Sequence, residues 1–233
     1  VRDDLPAQLA GAGALVDPAR RALFLHVCAQ PVLVSREQAA RAVGVPLHTA
    51  KFHLDRLVDE GLLEVEFRRL SGRTGPGAGR PAKLYRRSAR QLEVSLPERH
   101  YDLAGAVLAA AVQRSLHAGT PVADAVAEES AAAGRRLAAE PAERGVHDRA
   151  DVTRVAAVLA RHGYEPRPAP DGLELANCPF DRLATEHTSL VCGMNVDLVQ
   201  GVLAGLGTTG LVAVLEPRPG ACCVRVRAAP GAG

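Results

Sequence analysis

The sequence predicts an α+β protein with two domains joined by a helical segment, on three observations. Three helical periodicities in the first 61 residues precede two short strand-like runs around a Gly/Pro-rich loop. Residues 98–140 are rich in Ala, Leu and Val and read as helices. Beyond residue 150 a helix precedes the order ββααββ, an α+β domain with a small antiparallel sheet. The expected boundaries are 1–92, 93–145 and 146–233.

Composition narrows the function. The chain has 233 residues, 47% of them hydrophobic, enough for a sizeable core. Aromatic residues make up only 3%, with no Trp, which disfavours readers that stack single-stranded bases on exposed rings. No apolar run approaches bilayer length and no signal-like leader opens the chain, so a cytoplasmic protein without membrane partners is expected. The net charge of +2 is unevenly spread. Residues 1–90 hold 15 Lys and Arg against 9 Asp and Glu, a net +6, and the remainder carries −4. A basic front half points to a polyanionic partner. Five cysteines, two of them adjacent, make a poor disulfide framework and better metal ligands or reactive thiols.

In the first domain, Asp17 and Pro18 open a helix that Pro31 stops. Ser35 and Gln38 form a capping box at the head of REQAARAVG. After the break at Gly44, Pro46 opens a third helix. Its apolar positions Leu47, Ala50, Leu54, Leu57 and Val58 fall on one stripe, and Gly61 ends it. Two short helices about a glycine turn, the second with basic residues off its apolar stripe, form a helix-turn-helix pattern. Leu62–Leu70 and Leu84–Arg86 flank SGRTGPGAGRPAK as a β-ribbon, completing an N-terminal winged helix-turn-helix. From Arg68 to Arg90 there are eight Lys and Arg and no acidic residue, which suits phosphate contacts and minor-groove insertion. Residues expected to face double-stranded DNA are His48, Thr49, Lys51, His53 and Arg56 on the helix, with Arg73, Arg80 and Lys83 on the wing. His26, on the first helix, reads as a packing or half-exposed residue. VGVPLHTAKFHLDRLVDEGLLE followed by GRPAKLY resembles the recognition helix and wing of ArsR-like winged-helix regulators.

Of the middle helices, Glu98–Ser115 and Pro121–Glu140, the first has an apolar face with Tyr101, Leu103, Val107, Leu108, Val112 and Leu116. Gly105, Ala109 and Ala110 would admit a close partner helix. Since operators pair half-sites, this helical linker is expected to make a homodimer.

In the last third, Asp151–His162 reads as a helix. Tyr164–Arg167 and Leu173–Leu175 form a hairpin about PAPDG, and Leu211–Leu215 and Cys222–Arg227 a second about EPRPG. Between the hairpins lie a short helix, Asp181–His187, and a longer amphipathic one, Thr188–Gly205. Cys178, Cys192 and Cys222 come from three places that can converge where the sheet meets the helix. Strand alternation turns Cys222 inward with Val224 and Val226, and Cys223 outward. His187, five residues before Cys192, is a candidate fourth ligand. This metal set suits tetrahedral zinc or an iron–sulfur cluster, although gaps of 13 and 29 residues are not zinc-knuckle spacings. Buried metal-free thiols, or an effector domain enclosing a small apolar ligand, remain open on spacing alone.

GYEP, NCPFDRLATEH, LVCGMN and PGACCVRV are similar to the effector domain of the Suf-operon repressor family, winged-helix regulators that sense an iron–sulfur cluster. The resemblance implies a transcriptional regulator whose cluster, of the 4Fe–4S type, is held by residues matching Cys178, Cys192 and Cys222. The four-cysteine form of that family has a further Cys between the second and last, where Leu206 and Gly207 stand here. Zinc is the alternative cofactor. No phosphate loop, nucleophile elbow or paired carboxylate site accompanies the thiols, so the chain reads as a regulator and not an enzyme.

Overall fold

A computed structural model of the chain describes residues 5–68, 81–141 and 151–230. It divides into two compact units, Val1–Val94 and Ser95–Gly233. The segment expected to be a separate linker, 93–145, is not a body of its own, because its two helices belong to the core of the second unit. Among the described residues no helix is long and apolar enough to cross a membrane.

The first unit runs α1 (Leu5–Ala14), α2 (Pro18–Cys28), β1 (Val34–Ser35), α3 (Arg36–Val43), α4 (Leu47–Asp59), β2 (Leu63–Arg68) and β3 (Ala82–Arg87). Local signals fix most of these ends. The Asp17 carboxylate accepts the Arg20 N–H at 2.8 Å, and Pro18 opens α2. Ser35 and Gln38 close a reciprocal capping box at 3.2 and 2.8 Å. Gly61, at φ 69°, lets Leu62 N–H reach Leu57 O and Gly61 N–H reach Val58 O, so α4 ends in a Schellman motif. The antiparallel sheet has the order β1-β3-β2, with Leu63 opposite Arg87 and Arg68 opposite Ala82. Leu23, Leu54, Leu57, Leu63 and Tyr85 form the centre of the core. Helix α1 is unanticipated. Its Ala- and Gly-rich sequence gives no strong periodicity, and it packs through Gly11 against Leu92.

The second unit comprises α5 (Tyr101–Ala118), α6 (Val122–Ala139), α7 (Asp151–Ala160), β4 (Pro166–Ala169), β5 (Gly172–Leu175), α8 (Asp181–Glu186), α9 (Thr188–Gly205), β6 (Leu211–Leu215) and β7 (Val224–Ala228). The expected ββααββ order holds, and the two hairpins join through β5 and β7 into one antiparallel sheet, β4-β5-β7-β6. Leu173, Leu175, Val224 and Val226 turn one face of the sheet to α9 and the core. The opposite face carries Asp171, Glu174, Glu216, Arg218, Arg225 and Arg227 in one ion-pair network. Helices α6 and α9 approach almost backbone to backbone. Gly134 lies against Leu198 and Val202, and Gly201 against Ala131, leaving no room at either position for a side chain. On α5 only Ala104, Val107 and Ala111 are buried, while Tyr101, Val112 and Leu116 stay exposed.

Candidate functional site

Helix α4 presents two unlike faces. Ala50, His53, Leu54 and Leu57 are buried against the first core. Diametrically opposite, at 100° per residue, lie His48, Phe52, Asp55 and Asp59 (i, i+4, i+7, i+11). Lys51 and Arg56 flank this line, and all six residues border one shallow concavity with Arg20. His48, Lys51 and Arg56 are exposed and Thr49 is half-buried, an arrangement open to a groove-shaped partner. The Arg56 guanidinium meets Glu60 one turn on, at 2.5 Å.

Three expectations for this face need correction. His53 is not on it: the imidazole is buried, accepts Arg20 Nε–H at Nδ1 (3.2 Å) and lies 3.8 Å from Asp17. Four residues before Leu57 and three after Ala50, it falls on the inner stripe. Leu47, assigned to that stripe, is 48% exposed, although Ala50 in the same turn is fully buried. Lys83 is not an open phosphate ligand either. Its ammonium pairs with Asp55 and lies over the Tyr85 ring, while Tyr85 Oη–H donates to the same carboxylate at 3.1 Å. Partial burial works against ionising Asp55, but the Lys83 and Tyr85 hydrogen bonds prevail and hold its carboxyl below its ordinary value. Arg73 and Arg80 lie outside the described residues. On the ribbon strands, Arg86 pairs with Glu64 at 2.8 Å and Arg68 with Glu66 at 2.5 Å.

In the second unit four thiols, Cys178 between β5 and α8, Cys192 on α9, and Cys222 and Cys223 just before β7, influence one another's ionisation, most strongly Cys178 with Cys222 and Cys192 with Cys223. The interaction between Cys178 and Cys222 holds the Cys178 thiol below its ordinary value and pushes Cys222 far up, aided by burial. Burial, then the Cys223 contact, pushes Cys192 up to about 12. Asn195, one turn after Cys192, donates to Cys222 Sγ at 3.3 Å and accepts from Tyr164 Oη at 2.5 Å. Arg99 donates to the Cys178 carbonyl (2.6 Å) and to Asn177 Oδ1 (2.5 Å), tying the Cys178 loop to the start of α5.

The ionisation of the three expected cysteines is linked, and His187 is not among the groups that act on them. His187 sits exposed between α8 and α9, its backbone N–H donated to Leu183 O. Cys223 is near the thiols instead. Regular alternation begins only at Val224, so the turn through 220–223 can bring both neighbouring cysteines to the same side. Among the described residues no three His, Cys, Asp or Glu side chains are grouped as metal ligands would be. Sequence reasoning missed Asn195 and Arg99. The first was detectable as an amide between the apolar residues Met194 and Val196 of α9, whereas Arg99 had no local signal.

No curated protein matches the chain. Residues 15–66, from just after α1 through α4 into β2, match the family model of a helix-turn-helix domain.

Proposed function

We propose that the chain is a transcriptional regulator that binds a double-stranded operator as a homodimer and whose operator affinity depends on the state of its four clustered thiols. The observation that carries the reading is the outward face of α4, with His48, Lys51 and Arg56 exposed on a helix matched to a DNA-binding domain. His48 and Lys51, in the first half of the helix, reach base edges; Arg56 contacts phosphate. The uncharged exposed stripe of Tyr101, Val112 and Leu116 on α5 supports self-association.

The donor set supports a cysteine-held group. Cys178, Cys192, Cys222 and Cys223 would hold an iron–sulfur cluster of the 4Fe–4S type, or zinc, both of which take thiolates. Such a cluster supplies sensitivity to oxidation, in line with the resemblance to the Suf-operon repressors. The protein's part would be to bring these sulfurs onto one centre, which they do not form in this structure, and Cys192 would couple that centre to α9, which packs on α6.

Selection of duplexes from a random pool by the full-length protein, followed by affinity measurements at several salt concentrations, tests the first half. Lys51→Ala and Arg56→Ala should each weaken binding and lower the salt slope by about 1. Metal and sulfide analysis of protein purified without oxygen tests the second. A brown, sulfide-containing protein whose Cys192→Ser variant loses iron supports the cluster, and stoichiometric zinc supports the alternative. A colourless metal-free protein with unchanged operator binding in Cys192→Ser refutes control by the thiols.

A further inference from the structure

On the outward line of α4, Phe52 is the residue without hydrogen-bonding capacity. Phe52 is 65% exposed, although it lies at the centre of the outward line, one turn beyond His48 and one turn before Arg56. An aromatic ring at such a position loses favourable burial unless a partner covers it. Its orientation is supported from below. The ring meets the His53 imidazole edge-on, with centroids 5.4 Å apart, and His53 is itself fixed by Arg20 and Asp17. Phe52 is thus a supported apolar knob among polar and charged groups.

We infer that Phe52 is a specificity-determining residue that recognises the 5-methyl group of a thymine in the major groove. The inference rests on the DNA-binding reading above and extends it to one base feature. Among the base-pair edges exposed in that groove, the thymine methyl is the apolar one, and the others are hydrogen-bond donors and acceptors. A phenyl ring offers the latter nothing, and covering them would leave them unsatisfied. His48 and Lys51, one turn and one residue before Phe52, supply the polar contacts that fix the helix over the adjacent bases.

The test uses the full-length protein and duplexes enriched from a random pool. Each thymine of an enriched duplex is replaced by deoxyuridine, which removes the methyl and nothing else. For the wild-type protein one thymine per half-site should show a roughly four-fold loss of affinity on replacement, the effect of withdrawing one buried methyl. Phe52→Ala should bind thymine and uracil at that position equally, and Phe52→Leu should restore part of the discrimination. The ring is exposed, so both variants should melt as wild type does. Enrichment of duplexes with the same uracil profile in wild type and Phe52→Ala overturns the assignment of Phe52 and leaves DNA binding standing. Failure to enrich any duplex overturns both.

Discussion

Helices α4 and α9 carry the residues of the two candidate sites, and they are built on opposite plans. Helix α4 is amphipathic: one stripe anchors it to the first core, and the opposite side is free for a partner. Helix α9 is buried on several sides, with Val191, Cys192, Met194, Asn195, Leu198, Val199, Gly201, Val202 and Leu203 all covered. A binding face on α4 needs only correct helical phase. The thiol centre needs α9, the β5–α8 connection and the turn before β7 to arrive together. Local rules secure the first site, and long-range packing secures the second.

The sharpest way to break this contrast is at Gly134. A Cβ there would collide with the α9 backbone at Leu198 and Val202, which cannot swing aside as a flexible side chain would. Gly134→Ala is expected to destabilise the second unit by about 3 kcal/mol, the upper part of the overpacking range. Gly105→Ala on α5 enters open space and gains helix propensity, so it should be neutral or stabilising by up to about 1 kcal/mol. Thermal unfolding of both variants decides the matter. Equal effects would mean that α6 and α9 are not in close contact.

Asn195 probes the thiol centre more narrowly. Its amide is the link between the fully buried Tyr164 hydroxyl and Cys222. Asn195→Leu keeps the branched shape but leaves that hydroxyl unpaired, at a cost of about 2 kcal/mol. Adding Tyr164→Phe to Asn195→Leu should recover much of the loss, since both polar partners are then gone. Denaturant titration of the Asn195→Leu, Tyr164→Phe and double variants measures the coupling. Additive losses would show that the two groups act separately.

These contrasts also explain what was legible in the sequence. Asp17–Pro18, the Ser35–Gln38 box and Gly61 each act within four residues or so, and each stands where the sequence placed it. Both hairpins of the second unit were visible from turn residues and alternation, though β4 and β7 begin two residues late. The errors lie where packing decides. Helical phase puts His53 on the inner stripe, and only its polarity suggested otherwise, whereas Leu47, at the edge of the stripe, is left exposed by its neighbours. Cys222 is buried with Val224 and Val226 as alternation expects, and Cys223 is half-buried in the turn before β7. His187 has suitable chemistry and spacing, but the α8–α9 junction leaves it exposed. Arg99 reaches Cys178 across 79 positions, a relation that sequence patterns do not express.

A smaller effect tests the local side of the comparison. Ser35→Ala removes the side-chain acceptor for Gln38 N–H and half of the capping box at α3. The expected loss is about 1 kcal/mol, confined to the first unit. Ser35→Asp should retain most of the stability. A loss as large as that of Gly134→Ala would mean that α3 is held by much more than its cap.

The smallest expected effect lies on the pair Asp55–Lys83, which joins α4 to β3. Asp55 is held below its ordinary 3.8 when the unit is folded, so the folded state favours the ionised carboxylate. The sign follows from linkage: the stabilisation is fully present above the unfolded value and is lost as pH falls through the lower folded value. Both side chains remain partly open to water, 21% for Lys83 and 35% for Asp55, so the contribution is at most about 1 kcal/mol. Lys83→Met should therefore be less stable than wild type at neutral pH, and the gap should shrink on acidification below the ordinary carboxylate range. High salt should shrink it as well, because a pair this open is screened. Unfolding titrations at neutral and acid pH measure the difference. A gap that is independent of pH would assign the role of Lys83 to packing over the Tyr85 ring, 5.4 Å away, and not to its charge.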